Sequence, residues 1–574
     1  MYSDNPIILQ LISLLKQFNI RKIVISPGGR HVQLSLSLEA DPFFQLYSVV
    51  DERSAAFFAL GLIMETGEPV AIACTSGTAC INYSSGVAEA YYQHLPLLIL
   101  SADRLPHLLN QEEDQMLDQI QIFKKITKFQ ANLPHINNEL DKWWCNRLIN
   151  EALNNLTVHG SGPVQINFPI KDIYGNNFEV MELPKVRKIN INSALHKLNY
   201  SLFAEKLQNK KIILIWGQSV AATEDLIKAI YTFVSDYSAI ILTDPMSNCP
   251  IKGAIKNSLG LLHGLTFNDR QFLTPDIVIT FGGSIVFNDE CKRLCSESGT
   301  QHWSIDPSGD VSDPFHNLTE VFEMDELNFF NSINDYMNSE AVSEGSVNFK
   351  NLWVKLSEEL PEPRLEPYNQ LTVIGRFIKN LPSRSSLHLA NSNAIRFASC
   401  YSIPDDIKIF CNRGLNGIDG SMSSAIGFAC CSSSTTFYIT GDLSFFYDMN
   451  SLTIKHLSPN LRILLINNYG GGFMYNQRRI VNGEKSLTLA ADNKLEVKKW
   501  VESVGFTYYK AHNNDEVEQG IMKLVNPESD NPIILEVFTD IKEDGYLLWN
   551  YYRTLDNRTL LDKIKGKLHQ KFSK

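Results

Sequence analysis

Short runs of consecutive apolar residues alternate along this chain with segments whose apolar residues recur every three or four positions. RKIVIS (21–26), PVAIACTSG (69–77), LPLLILSADR (95–104) and GPVQINFP (162–169) are such runs. They lack the in–out alternation of a strand with one wet face, so each predicts a parallel strand buried on both faces. The pattern restarts at KKIILIWGQS (210–219), AIILTDP (239–245) and DIVITFGGS (276–284), with QHWSIDPSG (301–309) as punctuation. A polar stretch, NSEAVSEGSVN (338–348), reads as a linker. Beyond it come SSLHLANS, KIFCNRG, TTFYITGD, LRILLINN and NPIILEVF. The expected fold is α/β, with three successive doubly wound parallel-sheet units over residues 1–185, 190–350 and 355–574.

The clearest chemistry lies in the last unit. TTFYITGD (435–442) and LRILLINN (461–468) flank LSFFYDMNSLTIKHL (443–457), whose spacing is helical, and a turn at SPN. A strand–helix–strand crossover of this kind is right-handed, so both strands end on one edge of the sheet. Asp442 and Asn468 then emerge near each other at the edge where open parallel sheets bind ligands. A carboxylate, an amide oxygen and a backbone carbonyl freed by the following glycines are hard oxygen ligands suited to Mg²⁺ with substrate phosphate. Asp, Asn and Gly are equally the residues of an ordinary strand-end turn.

Composition narrows the partners. A formal net charge of −11 over 574 residues argues against nucleic-acid or membrane-surface binding, which needs basic patches. The first residues, MYSDNPIILQLISLLKQF, carry acid early and predict an amphipathic helix rather than a signal peptide. No apolar run nears the ~20 residues that span a bilayer. Ten cysteines are scattered without a CxxC pair, and Cys291 and Cys295 have no nearby histidine to complete a zinc site. They read as buried thiols of a cytoplasmic protein. The tail DKIKGKLHQKFSK predicts a solvated terminal helix. There is no GxxxxGK[ST], no GxGxxG opening a helix after a strand, and no GxSxG.

Taken together, ISPGGR, VVDERSAAFFALG, TSGTA, LSADR, NSNAIR, CNRGLNGIDG, GDLSFFYD and NNYGGG resemble the thiamine-diphosphate enzymes. Within them the likeness, along nearly the whole chain, is to the menaquinone-pathway synthases. Those decarboxylate 2-oxoglutarate and add the resulting succinyl carbanion to isochorismate. The resemblance implies three domains in the order pyrimidine-binding, central and diphosphate-binding. It implies thiamine diphosphate held through Asp442, Asn468 and the Gly470 carbonyl by the metal ion. Thr75, Ser76, Gly77, Ile418, Gly441 and Leu443 would contact the cofactor, with Ile418 propping it in its bent form. Glu52 would hydrogen-bond the aminopyrimidine ring, a task for a carboxyl in apolar surroundings such as AAFFALG. The plainer reading of Asp51 and Glu52 is acid placed at a helix N-terminus.

On the substrate side the resemblance assigns Ser392, Arg396 and Arg413 to the donor's distal carboxylate, a planar anion that arginine pairs bidentately. Arg30 and Arg104 would meet the acceptor's carboxylates, Gln115 would shuttle protons, and Phe473 would line the substrate pocket. Several acceptor positions depart from the family pattern. Gly29 replaces a serine, Asp114 precedes Gln115, and Phe287, Asn288 and Asp289 stand where relatives carry cations. Arg478 and Arg479 are candidates to restore that charge. Three readings stay open at this point. The acceptor is isochorismate; or it is less anionic, a sugar or small aldehyde; or the chain is a non-catalytic binding module. Intact Glu52, Asp442 and Asn468 speak against the last. By resemblance the active unit is a homodimer or a homotetramer acting on small molecules.

Overall fold

The computed structural model describes residues 1–171, 177–191, 198–220, 222–265, 267–286, 288–297, 299–336, 343–476, 491 and 493–555. Three fully parallel sheets carry the chain, as the apolar runs predict. Across the first sheet the strands are Gln45–Ser48, Lys22–Ile25, Val70–Cys74, Leu97–Asp103, Val164–Pro169 and Phe129–Asn132. Across the third they are Lys408–Cys411, Ser386–Leu389, Thr436–Gly441, Leu461–Asn467, Ile533–Phe538 and Thr507–Ala511. Numbered by chain order within each sheet, both read 2-1-3-4-6-5. The central sheet reads 2-1-3-4-5, through Ile240–Thr243, Ile212–Trp216, Ile277–Phe281, Gln301–Ile305 and Leu318–Phe322. Every sheet therefore has its topological switch point between its first and third strands, where ligand crevices form. In the first sheet that edge carries Ser26–Arg30 and Thr75–Gly77; in the third it carries Asn391–Asn393 and Gly441–Leu443.

One core unites the first and third sheets. It is centred on two helices, Glu52–Thr66 and Ser421–Cys431, each leading into the third strand of its own sheet. They cross at van der Waals distance because both are glycine at the crossing. A Cβ on Gly61 would lie 2.0 Å from the Ser424 carbonyl oxygen, and one on Gly427 would lie 2.1 Å from that of Phe58. Ser424 Oγ donates to the Phe57 carbonyl at 3.1 Å, tying the helices by a hydrogen bond as well.

The second of these helices is capped from a distance. Gly420 offers no capping side chain, and Asp448 accepts from Ser423 N (2.8 Å) and Ser423 Oγ (2.9 Å) instead. Burial pushes the Asp448 carboxyl up to about 7, its hydrogen bonds to Ser423 and the nearby Arg53 opposing and Asp51 reinforcing the rise. A carboxyl raised by folding gives stability that is complete below its unfolded value and is lost as pH rises through the folded value. Thermal melts of the apoprotein should therefore weaken between about pH 4 and 7, and Asp448→Asn, which keeps the cap acceptor, should flatten that dependence and melt higher than wild type at pH 8. An unchanged slope would show that Asp448 does not titrate there.

Local readings from the sequence need three adjustments. The first residues form a short strand, Tyr2–Ser3, and a helix, Pro6–Gln17, buried on most of its surface rather than one-sided. The expected linker is partly helical: Ser343 caps a helix, Glu344–Glu358, by accepting from Ser346 N. The predicted helix over 443–457 breaks into Asp442–Tyr447 and a 3₁₀ turn, Met449–Thr453, because Asp448 is drawn inward as the cap. The lysine-rich tail lies outside the described residues. Eight cysteines are buried, and Cys430 and Cys431 are half-buried. Among the described residues no helix is long and apolar enough to cross a membrane.

Candidate active site

At the switch point of the third sheet, Gly441 pairs with Ile466 on the neighbouring strand, so the loops after both strands leave side by side. Asp442 is buried at the first residue of its helix. Burial raises its carboxyl to about 6, with Asn493 foremost among the groups opposing the rise. Asn493 Nδ2 donates to Asp442 Oδ2 at 3.2 Å. Asn468 Nδ2 donates to Asp544 Oδ2 at 2.9 Å, which turns the amide so that Oδ1 faces away from the carboxylate. That oxygen is buried and accepts no hydrogen bond. A buried acceptor without a donor is costly in water-excluded protein but is what a cation demands. A carboxylate, a free amide oxygen and an adjoining glycine loop together fit a divalent cation, so the residues present suit the metal expected here. Gly441 has open space around it.

At the first sheet's switch point, the two expected loops interlock. Arg30 N donates to Thr75 Oγ1 at 3.1 Å. Gly77 adopts φ +84°, and its N–H donates to Gln119 Oε1 at 2.8 Å. The Gln115 backbone lies against Gly77, with its own φ at +52° and its side chain exposed. Ser76 Oγ is buried without a partner. The Arg30 guanidinium is buried, donates to the Ile170 carbonyl at 3.3 Å, and is lowered in pKa by burial first and by Arg104 second. Arg104 pairs with Glu113 at 2.7 Å. Asp114 is exposed beside Gln115.

Glu52 opens the helix Glu52–Thr66, with Asp51 as its cap accepting from Ser54 N at 3.2 Å. Its carboxyl is raised, chiefly by burial, with Asp51 adding to the rise. Its charge is felt by Cys74 and Tyr83, both buried. Among the described residues no hydrogen bond joins Glu52 to Asp442. The helix start instead touches the end of the Asp442 helix and the turn after it: Arg53 Nη2 donates to the Tyr447 carbonyl at 2.8 Å, and Asn450 Nδ2 to Asp51 Oδ2 at 3.3 Å.

The residues expected to bind the donor lie elsewhere on the third sheet's edge. Ser392 holds φ +72°, a strained value for a non-glycine residue of the kind that clusters at functional sites. Arg396 and Arg413 line one cavity of about 650 Å³, with central-unit residues Gly282, Ser284 and Val286 opposite. Arg396 stacks on Phe473, 4.3 Å from the ring centroid, and its Nη1 is buried without an acceptor. Arg413 Nη1 donates to Asn391 Oδ1 at 3.3 Å while its Nε has no acceptor. The pKa of Arg396 is lowered, first by burial and then by Arg413. Ile418 is 38% exposed, and its carbonyl accepts from Ser444 Oγ at 2.7 Å. Leu443 lies half-buried next to Asp442. Asn288 and Asp289 begin a helix, Asn288–Cys295; Phe287, Arg478 and Arg479 lie outside the described residues.

Residues that the sequence did not single out hold these groups. Gln119 carries the Gly77 loop and donates to the Ala102 carbonyl (3.2 Å) and Asn167 Oδ1 (3.0 Å). Asp544 orients Asn468 from 76 residues away, and Asn493 reaches Asp442 from 51. Only Gln119 had a signal, its position four residues after Gln115.

A fold of three parallel sheets, with Asp442, Asn468 and a glycine loop together at one switch point and a half-buried glutamate on the first unit, is that of a thiamine-diphosphate-dependent enzyme. The family described as thiamine pyrophosphate enzyme, N-terminal TPP binding domain, matches residues 9–122. Over nearly the full chain there is similarity to proteins named 2-succinyl-5-enolpyruvyl-6-hydroxy-3-cyclohexene-1-carboxylate synthase. The one from Bacteroides fragilis is 38% identical over 97% of this chain and 100% of its own length. That from Phocaeicola vulgatus is 39% identical over 97% and 100%. That from Flavobacterium psychrophilum is 32% identical over 96% and 100%. The chain belongs to this synthase family.

Proposed function

We propose that this enzyme decarboxylates 2-oxoglutarate and adds the resulting four-carbon unit to isochorismate, in menaquinone biosynthesis. The observation that carries the donor assignment is the pair of arginines facing one cavity, each with an unsatisfied N–H and neither ion-paired to a carboxylate among the described residues. A buried and a half-buried guanidinium, neither in an ion pair, suit the distal carboxylate of a dicarboxylic 2-oxo acid. Monocarboxylic donors would leave them unpaired.

Thiamine diphosphate would be held through Mg²⁺ or Mn²⁺ by Asp442, Asn468 and the Gly470 carbonyl, with Thr75, Ser76, Gly77, Ile418, Gly441 and Leu443 around it. When bound, it supplies the electron sink that allows a 2-oxo acid to lose carbon dioxide. Glu52 presents its carboxyl to the aminopyrimidine ring, and burial favours the protonated, hydrogen-bond-donating form. Arg396, Arg413 and Ser392 orient the donor, and Phe473 shields it from water. Arg30 and Arg104 attract the acceptor's carboxylates, and Gln115 relays protons beside it.

Glu52 and the cation site would meet across two chains, making the smallest active unit a homodimer, alone or paired into a tetramer. Exposed apolar residues flank both halves: Val50 at 74%, Leu415 at 48% and Tyr447 at 53% exposure, a surface that a second copy would cover. Ten unpaired cysteines support a reducing, cytoplasmic setting.

The ion pair between Arg104 and Glu113 favours a second reading, in which the acceptor is less anionic. The test is a product mass spectrum after incubation with thiamine diphosphate, Mg²⁺, 2-oxoglutarate and isochorismate. A mass equal to isochorismate plus succinic semialdehyde is expected. Succinic semialdehyde accumulating beside untouched isochorismate would overturn the acceptor and keep the donor.

A further inference from the structure

Glu89 is a buried carboxylate with no part in the chemistry above. It lies on the helix Ser84–Tyr92 of the first unit and reaches into the third. Its Oε1 accepts from Gly414 N and its Oε2 from Leu415 N, each at 2.8 Å. These are the two amides that directly follow Arg413. The stretch before Arg413 is gripped as well. Gln218, from the central unit, donates Nε2 to the Cys411 carbonyl at 2.7 Å and to Gln93 Oε1 at 3.1 Å. Gln93 Nε2 in turn donates to Glu89 Oε1 at 2.6 Å. Asn391 Nδ2 takes the carbonyls of Asn412 and Gly417. Backbone on both sides of Arg413 is therefore fixed by side chains from all three units, and Gly414 is packed so closely on the Glu89 backbone that a Cβ would lie 3.0 Å from its carbonyl oxygen.

We propose that Glu89 is a positioning residue for donor recognition: it clamps the amides after Arg413 across the unit boundary and so sets the direction of that guanidinium into the cavity. This rests on the reading of Arg413 as a ligand of the donor's distal carboxylate. A carboxylate is suited to the task because it only accepts, on both oxygens, and can serve two parallel N–H groups at once. It forms no ion pair with the Arg413 guanidinium, so the cation stays available to an incoming anion. Glutamine has the same shape but one acceptor; its NH₂ would confront an amide N–H, and the loop must move to relieve the clash of donors.

Glu89→Gln is expected to raise KM for 2-oxoglutarate by about tenfold or more, the loss of a charge-assisted hydrogen bond, while kcat stays within about twofold. The inhibition constant of glutarate, a dicarboxylate without the 2-oxo group, should rise in parallel, and KM for the acceptor should not. Combined with Arg413→Ala, the Glu89→Gln effect should vanish, since a residue acting through Arg413 has nothing left to position. If kcat and both KM values shift together, or if the two substitutions add fully, Glu89 is merely structural and the proposal is overturned. Should Glu89→Gln fail to fold, Glu89→Asp keeps the charge but falls one methylene short of both amides; an unchanged KM for 2-oxoglutarate there also overturns it. Arg413→Ala alone separates the two levels. If it leaves KM for 2-oxoglutarate unchanged, the donor reading itself has failed. If it raises KM and Glu89→Gln does not, only the clamp has failed.

Discussion

Glu52→Gln should cut turnover by about 10²–10⁴-fold, the usual worth of a positioned acid–base group, while leaving Mg²⁺-dependent binding of thiamine diphosphate within a few-fold of wild type. The physical reason is the separation of tasks in the fold. Glu52 sits at the first residue of a helix whose cap is Asp51, so glutamine neither removes the cap nor disturbs the packed face that begins at Ser54. What it loses is a proton that can move. Burial has already raised the Glu52 carboxyl, with Asp51 reinforcing the effect, so the wild-type residue is poised to hold and release that proton at the pyrimidine ring. Single-turnover decarboxylation of 2-oxoglutarate beside a calorimetric titration of the cofactor checks both halves. Full activity in the variant would remove Glu52 from the mechanism.

Asp442→Asn should have the other large effect, in the opposite place. Loss of the one anionic ligand should weaken metal-dependent cofactor binding by at least about a hundredfold, more than loss of a supporting group such as Asp544. Because the change is isosteric and Asn493 can still pack against it, the apoprotein should melt as a folded chain. The rise in melting temperature on adding Mg²⁺ and thiamine diphosphate, which follows the logarithm of ligand concentration over affinity, should disappear. Asp544→Ala should show a partial loss, since it frees the Asn468 amide to turn. Retention of the full thermal shift in Asp442→Asn would place the cation elsewhere.

Much of this site was legible because its groups sit at the ends of apolar runs. A strand buried on both faces announces itself as LRILLIN, and the residue after it must emerge at the carboxyl edge, which located Asn468 and Asp442. Arg396 and Arg413 also follow strands of that sheet, but the resemblance of NSNAIR and CNRG to the family is what singled them out. The supporting groups were not. Asp544 lies in a C-terminal helix, Ile541–Leu555, and Glu89 on a helix of another unit, and nothing periodic in the sequence reports which distant amide a side chain will reach. The break at Asp448 was hidden likewise: LSFFYDMNSL is patterned as a helix, and the demand of Ser423, 25 residues earlier in a helix whose glycine cap has no side chain, draws Asp448 out of it. Fold class is written in local patterns, whereas the fine aiming of a site is written in contacts between segments far apart in the chain.

The crossing at Gly61 and Gly427 carries a mechanical consequence. Two helices whose backbones touch at these glycines, with the Ser424 hydroxyl bonded across to the Phe57 carbonyl, have little slack to slide. Opening a hinge between the first and third units would have to break this crossing. The central unit meets the cavity of Arg396 and Arg413 through the short loops at Gly217 and Gly282, and its Gln218 ties that cavity's wall to the first unit.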